Sequence, residues 1–300
     1  MSSRAKGGKE LKTSKLNVSF DLSTLRCVSA YQRAGKKVLA CTFGESGVTS
    51  ATVPADGMCD IMFYTDVQYD CDKDIIVPSD GGPAFSVFKS AASKYTKTTF
   101  GASMATGSIT DVVKEKEFEL ASSLDELFSA RLVHFGMLNV DNAEDYDDLK
   151  GADLQYLKAL IKDDLRNELT DIARRGRYAL LSFAMYARSY HMKATWNEAS
   201  AREMSESTLN MDYAAEMCKM KTVKDVTEEE TVYAADEHKK FLALFDTAVT
   251  FKTKTQARLR VMPNVYTGLA VYNIEMDDSK DTCGKGKFAR LKSIKAALGA

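Results

Sequence analysis

One stretch of five residues divides this sequence: Ser79-Asp80-Gly81-Gly82-Pro83 is turn-forming at every position, and the hydrophobic pattern has a different period on either side of it. Before it, over residues 17–80, short runs rich in β-branched and aromatic side chains (LNVSFDL, KKVLACTF, GVTSATV, DIMFYTDVQY, DIIVP) alternate with Gly, Ser and Asp. These read as strands of an antiparallel sheet. After it, Phe85, Phe88, Ala92 and Tyr95 fall on one face of a short helix ending near residue 97. The expected fold class is therefore α+β: a β-rich N-terminal region followed by a predominantly α-helical body over residues 81–255.

Within that body, TTFGASMATGS at 98–108 reads as a small-residue loop. Ser122-Ser123-Leu124-Asp125-Glu126 opens a helix that Gly136 stops. An acidic linker at 139–148 precedes the stripe Leu154, Leu157, Leu160, Ile161, Leu165, Leu169 and Ile172, which recurs at helical spacing. The helical pattern continues through RYALLSFAMYARSYHMKATW, with further helices expected near 198–220 and 227–249. Residues 256–300 read as a C-terminal arm, holding two strands or an extended segment around Pro263 and Gly268 and then a basic tail with a short helix from Lys287 to Leu298. Residues 1–16, with five cations against Glu10 alone, read as a flexible basic arm.

A chain of 300 residues with 45% hydrophobic and 28% charged residues has enough length for a core without staples. No run of eighteen apolar residues or secretory leader is visible, so a cytoplasmic protein without a membrane span is expected. Cysteines 27, 41, 59, 71, 218 and 283 include no CxxC pair, and free, mostly buried thiols are the reading that fits that compartment. Asp66, Asp70, Asp72 and Asp74 resemble a calcium loop until Ile75 and Gly81 are found where a loop beginning at Asp70 needs glycine and glutamate. His134, His191 and His238 are too scattered for a metal site, and no phosphate-binding loop or nucleophile elbow is present. Neither an enzyme nor a cofactor is expected.

Charge is the feature that points to a partner. The formal net charge is -1, yet residues 1–40 hold 9 basic and 2 acidic groups, residues 41–80 hold 1 and 8, residues 111–165 hold 6 and 14, and residues 252–300 hold 10 and 4. Such blocks imply separate electropositive and electronegative surfaces. If residues 174–196 are helical, Arg174, Arg177 and Arg188 share an arc of about 60°, a stripe suited to successive phosphates. Arg175 and Lys193 add charge, and Tyr178, Tyr190 and Trp196 are candidates to stack on unpaired bases. The bland alternative is a solvated face paired with the acidic linker.

Basic arms at both ends, a helical body and a central Arg and aromatic segment resemble an RNA-virus nucleocapsid or filamentous coat protein. The block LTDIARRGRYALLSFAMYARSYHMKA, residues 169–194, is similar in texture to the core of flexuous plant-virus coat proteins. The resemblance implies a capsid-type protein of the virion and host cytoplasm. It would bind single-stranded RNA non-specifically in a basic groove and assemble with copies of itself into a homo-oligomer or filament. The alternative is a non-enzymatic interaction or movement-type protein with loose nucleic-acid binding.

Overall fold

The computed structural model describes residues 37–44, 48–70, 72–73, 75–79, 83–104, 120–136, 138, 179–191, 209–212, 217–220, 222–226, 231–236, 241–261 and 266–299. Parallel pairing organises them. Strands β1 (Val38–Phe43), β2 (Ile61–Asp70), β4 (Thr99–Met104), β5 (Leu132–Gly136), β6 (Ala179–Ala184) and β12 (Tyr266–Tyr272) form one sheet in the order β5-β4-β2-β1-β12-β6. Every neighbour on that path is parallel. A short β3 (Ile75–Pro78) folds back antiparallel on the far end of β2. Helices α1 (Ala84–Lys94) and α2 (Leu120–Ser129) follow β2–β3 and β4, while α3 (Ala248–Val261) leads into β12 and α4 (Ala289–Ala297) follows it. Between β6 and α3 lies a second, antiparallel sheet, β8-β7-β11-β10-β9, built from Ala187–His191 (β7), Leu209–Asp212 (β8), Thr222–Val226 (β9), Thr231–Asp236 (β10) and Phe241–Phe245 (β11). No helix among the described residues is long and apolar enough to cross a membrane.

The central parallel strands are buried on both faces, and their outward residues carry most of the apolar bulk. Leu39, Cys41 and Phe43 of β1, Met62 and Tyr64 of β2, Phe100 and Ala102 of β4, and Leu269 and Val271 of β12 share one core with Phe85 and Phe88 of α1 and Leu291 and Ile294 of α4. The alternate residues face the other way and match in register: Ala40 with Ala270, Thr42 with Phe63, Phe63 with Gly101, Gly101 with His134. A register slip beside Phe100 and Gly101 allows Leu132 to join the outer core while His134 faces inward.

The sheet is curled. In a flat sheet, β12 and β5 would lie four strand spacings apart, about 19 Å, several times the reach of a tyrosine. Yet the Tyr272 hydroxyl, at the end of β12, donates to the Leu138 carbonyl just past β5 at 3.2 Å. The inward-facing residues therefore line the lumen of a barrel wall.

Several expectations are corrected by this architecture. The chain is not a β-rich region followed by a helical body: strands and helices alternate through most of it, and β1 and β2 are parallel. The small-residue segment at 98–108 contains β4, whose Gly101 and Ser103 are small because they face the crowded lumen. The residues expected in one long helix form β6 and β7, and those at 227–249 include β10 and β11. A short, mostly apolar run such as ALLSFA cannot be told from a helix segment by periodicity. The expected helix near 84–97 and the short C-terminal helix do form, as α1 and α4. The stripe at 154–172 and the N-terminal arm lie outside the described residues. Four cysteines are not free thiols: Cys41 pairs with Cys59, tying β1 to the approach to β2, and Cys218 pairs with Cys283, tying the small sheet's region to the loop before α4.

Two contacts fix the frame. A Cβ at Gly268 would stand 2.0 Å from the Val38 carbonyl oxygen, so β12 can lie this close to β1 only with glycine there. Arg290 of α4 is buried: its Nε donates to Asp277 Oδ1 at 2.8 Å, and its Nη2 donates to the carbonyls of Met185 at 2.8 Å and Met276 at 2.9 Å. One side chain thus joins α4, the turn after β12 and the junction between the two sheets. Gly268→Ala is expected to lower stability by about 1–3 kcal/mol through overpacking, and a wild-type urea midpoint would contradict that account of the β1–β12 approach. Arg290→Leu, which strands the Asp277 carboxylate in the interior, is expected to cost about 3–5 kcal/mol in the same assay.

Candidate functional site

In barrels of parallel strands the carboxyl ends of the strands form the functional face, because the connecting loops that can vary emerge there. The last inward positions at this end are Thr42, Thr65, Ser103, Gly136, Ala184 and Tyr272. Their hydroxyls are hydrogen-bonded to neighbouring strand ends. Thr65 Oγ1 donates to the Phe43 carbonyl, Thr42 Oγ1 accepts the Asn273 N–H at 3.2 Å, and Ser103 Oγ accepts the Leu138 N–H at 2.9 Å. Leu138 is held from both sides, by Ser103 through its N–H and by Tyr272 through its carbonyl. The Tyr272 ring stretches across the mouth and keeps part of its surface exposed, while burial pushes its phenol pKa up, so the hydroxyl stays a donor at neutral pH.

Beneath this rim sit two larger inward groups. Phe63 lies 6.2 Å from the His134 ring, and His134 Nε2 is 2.9 Å from Thr99 Oγ1. Burial lowers the His134 pKa, so the imidazole is neutral at pH 7. Among the described residues no three His, Cys, Asp or Glu side chains come together as metal ligands.

Beside the rim, Glu275 follows β12 in a 3-10 turn (Ile274–Met276) and is almost wholly buried. Its Oε1 accepts the Gly44 N–H at 2.8 Å and the Asn273 Nδ2 at 3.4 Å, and Oε2 meets no hydrogen-bond partner among the described residues. Asn273 reaches this position with φ of 57°. Burial dominates and pushes the Glu275 pKa up to about 7, against the lowering effect of the donated bonds.

Of the expected RNA-contacting residues, the two that the structure describes, Arg188 and Tyr190, are not among the inward positions at this mouth. Arg174, Arg175, Arg177, Tyr178, Lys193 and Trp196 lie outside the described residues. Arg188 and Tyr190 belong to β7 of the small sheet, so no helical face aligns Arg188 with the other arginines. The residues at the mouth went unnoticed in the sequence because Thr42, Ser103 and Tyr272 form no local motif and converge only through strand pairing.

No family model matches the chain, and no curated protein does. Solved structures do. Human YKL-39, described as a pseudo-chitinase with retained chitooligosaccharide binding, aligns over 88% of this chain and 100% of its own, with a TM-score of 0.59 at 12% identity. The immunomodulatory chitinase of Trichuris suis aligns over 88% and 100%, with a TM-score of 0.59 at 11% identity. Catalytic domain 2 of the Ostrinia furnacalis Group II chitinase aligns over 88% and 96%, with a TM-score of 0.59 at 12% identity. At these identities the likeness establishes the fold alone: a TIM-barrel-like α/β architecture shared with these solved structures. It overturns the resemblance to nucleocapsid and coat proteins, and with it the expectation of a self-assembling, single-stranded RNA-binding protein of a virion and its movement-type alternative. The neighbours include both chitinases and a pseudo-chitinase.

Glu275 has a measurable signature. Its pKa is about 4.5 in the unfolded chain and about 7 in the fold, so between those values the native state binds the extra proton and stability falls as pH rises. The difference corresponds to about 3 kcal/mol, fully lost above pH 7. Chemical denaturation of Glu275→Gln against wild type is expected to show a stability gap that changes in favour of the variant from pH 5 to pH 8. A gap independent of pH would mean that the carboxyl ionises normally.

Proposed function

We propose that this protein is a carbohydrate-binding member of the chitinase-like fold, holding a chain of β-linked N-acetylglucosamine at the barrel mouth without cleaving it. The observation that carries the reading is Tyr272: a partly exposed ring spans the mouth at the end of β12, fixed by its hydroxyl to the Leu138 carbonyl. A pyranose presents an apolar face of C–H groups and a rim of hydroxyls, and an aromatic ring with neighbouring neutral polar groups complements both. The neighbour described as a pseudo-chitinase with retained chitooligosaccharide binding supports the same ligand class.

Absence of cleavage is part of the proposal. Glycosidic hydrolysis generally needs a proton-donating carboxylic acid together with a second carboxylate or a participating group of the substrate. The six described inward positions at the mouth are threonine, serine, glycine, alanine and tyrosine, which carry no carboxyl. Glu275 turns one oxygen into the backbone of Gly44. The expectation of a cytoplasmic protein rested on the lack of a visible secretory leader, and the free thiols that were to accompany it are replaced by two disulfides. The proposal accordingly includes passage through an oxidising compartment.

Calorimetric titration with chitotetraose is the test. Wild type is expected to bind without releasing shorter sugars, Tyr272→Ala to weaken binding at least about ten-fold, near 1.4 kcal/mol, and Tyr272→Phe to retain most of it. Equal affinity of wild type and the alanine variant would remove Tyr272 from the site, and product release would refute the non-hydrolytic assignment.

A further inference from the structure

Two peptide groups hold the ends of four neighbouring strands, β2, β1, β12 and β6, together at the mouth. The peptide between Phe43 and Gly44 is pinned on both sides: its carbonyl accepts the Thr65 hydroxyl from β2, and its N–H donates to Glu275 Oε1 at 2.8 Å. The peptide between Tyr272 and Asn273 is pinned likewise. Its carbonyl accepts the Met185 N–H, just past β6, at 2.9 Å, and its N–H donates to Thr42 Oγ1 of β1 at 3.2 Å. Of the side chains in this belt, Thr65 and Thr42 stay neutral at every pH, whereas Glu275 ionises.

Gly44 supplies the seat for that carboxyl. A Cβ there would stand 2.3 Å from Glu275 Oε1 and 2.6 Å from Asn273 Nδ2, so both groups close on the Gly44 backbone only because it carries no side chain. Asn273, whose Nδ2 donates to the same oxygen, follows Tyr272 directly and holds the left-handed turn by which the chain leaves β12. The titratable groups on the elements packed around the carboxyl are Tyr272 and Asp277, the latter paired with Arg290; Glu45, next to Gly44 in the chain, lies outside the described residues. A neutral carboxyl keeps this seat. Once ionised, with Oε2 meeting no partner among the described residues, it is a buried charge that gains by moving toward water. That movement gives up the Gly44 N–H and the Asn273 amide together, and so frees the turn that directs Tyr272.

We propose that Glu275 is a positioning residue for Tyr272, so that the mouth holds chitooligosaccharide while this carboxyl is neutral and releases it as the carboxyl ionises. The inference rests on the reading of the mouth as a site for β-linked N-acetylglucosamine. A ligand that selects the seated form takes up a proton wherever the free protein has lost it. Affinity is then level on the acid side of pH 7 and falls on the alkaline side, at the limit about ten-fold per pH unit. The other groups near the mouth are silent in this range: burial keeps His134 neutral and the Tyr272 phenol protonated.

The test is calorimetric titration of the full chain with chitotetraose at pH 6 and pH 8, the latter in two buffers of different ionisation enthalpy, for wild type, Glu275→Gln and Tyr272→Ala. Wild type is expected to bind at least about five-fold more weakly at pH 8 than at pH 6, with net proton uptake on binding at pH 8. Glu275→Gln, which keeps the Oε1 acceptor and cannot ionise, is expected to show neither effect. Proton uptake by wild type is read without any variant, so the test stands even where the glutamine chain folds poorly. Equal wild-type affinity at the two pH values, binding without proton uptake at pH 8, or the same fall in Glu275→Gln would overturn the role of Glu275; loss of affinity in Tyr272→Ala would then show the sugar site itself intact. Absence of wild-type binding at pH 6, or wild-type affinity in Tyr272→Ala, would overturn the reading of the mouth and this inference with it.

Discussion

The pairing of β12 against β1 is the constraint on which the rest of this molecule depends. It brings together parts of the chain 231 residues apart, and the Glu275 carboxyl reaching the Gly44 N–H marks the same junction at the rim. Gly268 permits the approach, and the register it sets places Tyr272 beside Thr42 at the mouth. Because β12 is also parallel to β6, the strand carries the sheet onward beyond β1 and holds Tyr272 where it can reach past β5. The mouth is thus a product of long-range pairing, while Arg290 fastens the last helix and the inserted sheet to it.

Buried ionisable groups fall into two kinds here. Asp277 and Arg290 satisfy each other and several carbonyls, so their interaction is structural and costly to break on one side. Glu275 is different: its burial is only partly compensated, and its proton is lost near neutral pH. Such a group beside the rim makes the junction between β1 and β12 sensitive to pH, whatever occupies the mouth.

The sequence was legible where local chemistry decides structure. VLACTF and IMFYTDVQYD carry the β-branched and aromatic residues of strands, Phe85, Phe88 and Ala92 mark one helix face, and the C-terminal block declares its positive charge. It was misleading where tertiary burial decides. Gly101 and Ser103 looked like loop residues because a lumen favours small side chains, and Leu180 to Phe183 looked helical because so short an apolar run carries no period that separates strand from helix. Cys41 and Cys59 gave no sign of pairing, since their proximity follows from β1 and β2 lying side by side. Tyr272 was visible within a strand-like run, but nothing in GLAVYNIEM distinguishes a mouth residue from a core one until the strand order is known.

The most direct measurement is a crystal structure of the protein grown with chitotetraose. The account predicts an intact oligosaccharide at the carboxyl ends of the parallel strands, with one sugar ring lying against the face of Tyr272 and hydroxyls directed to the neutral rim. A cleaved sugar in the mouth, an oligosaccharide bound elsewhere with Tyr272 untouched, or an empty mouth at saturating ligand would contradict it.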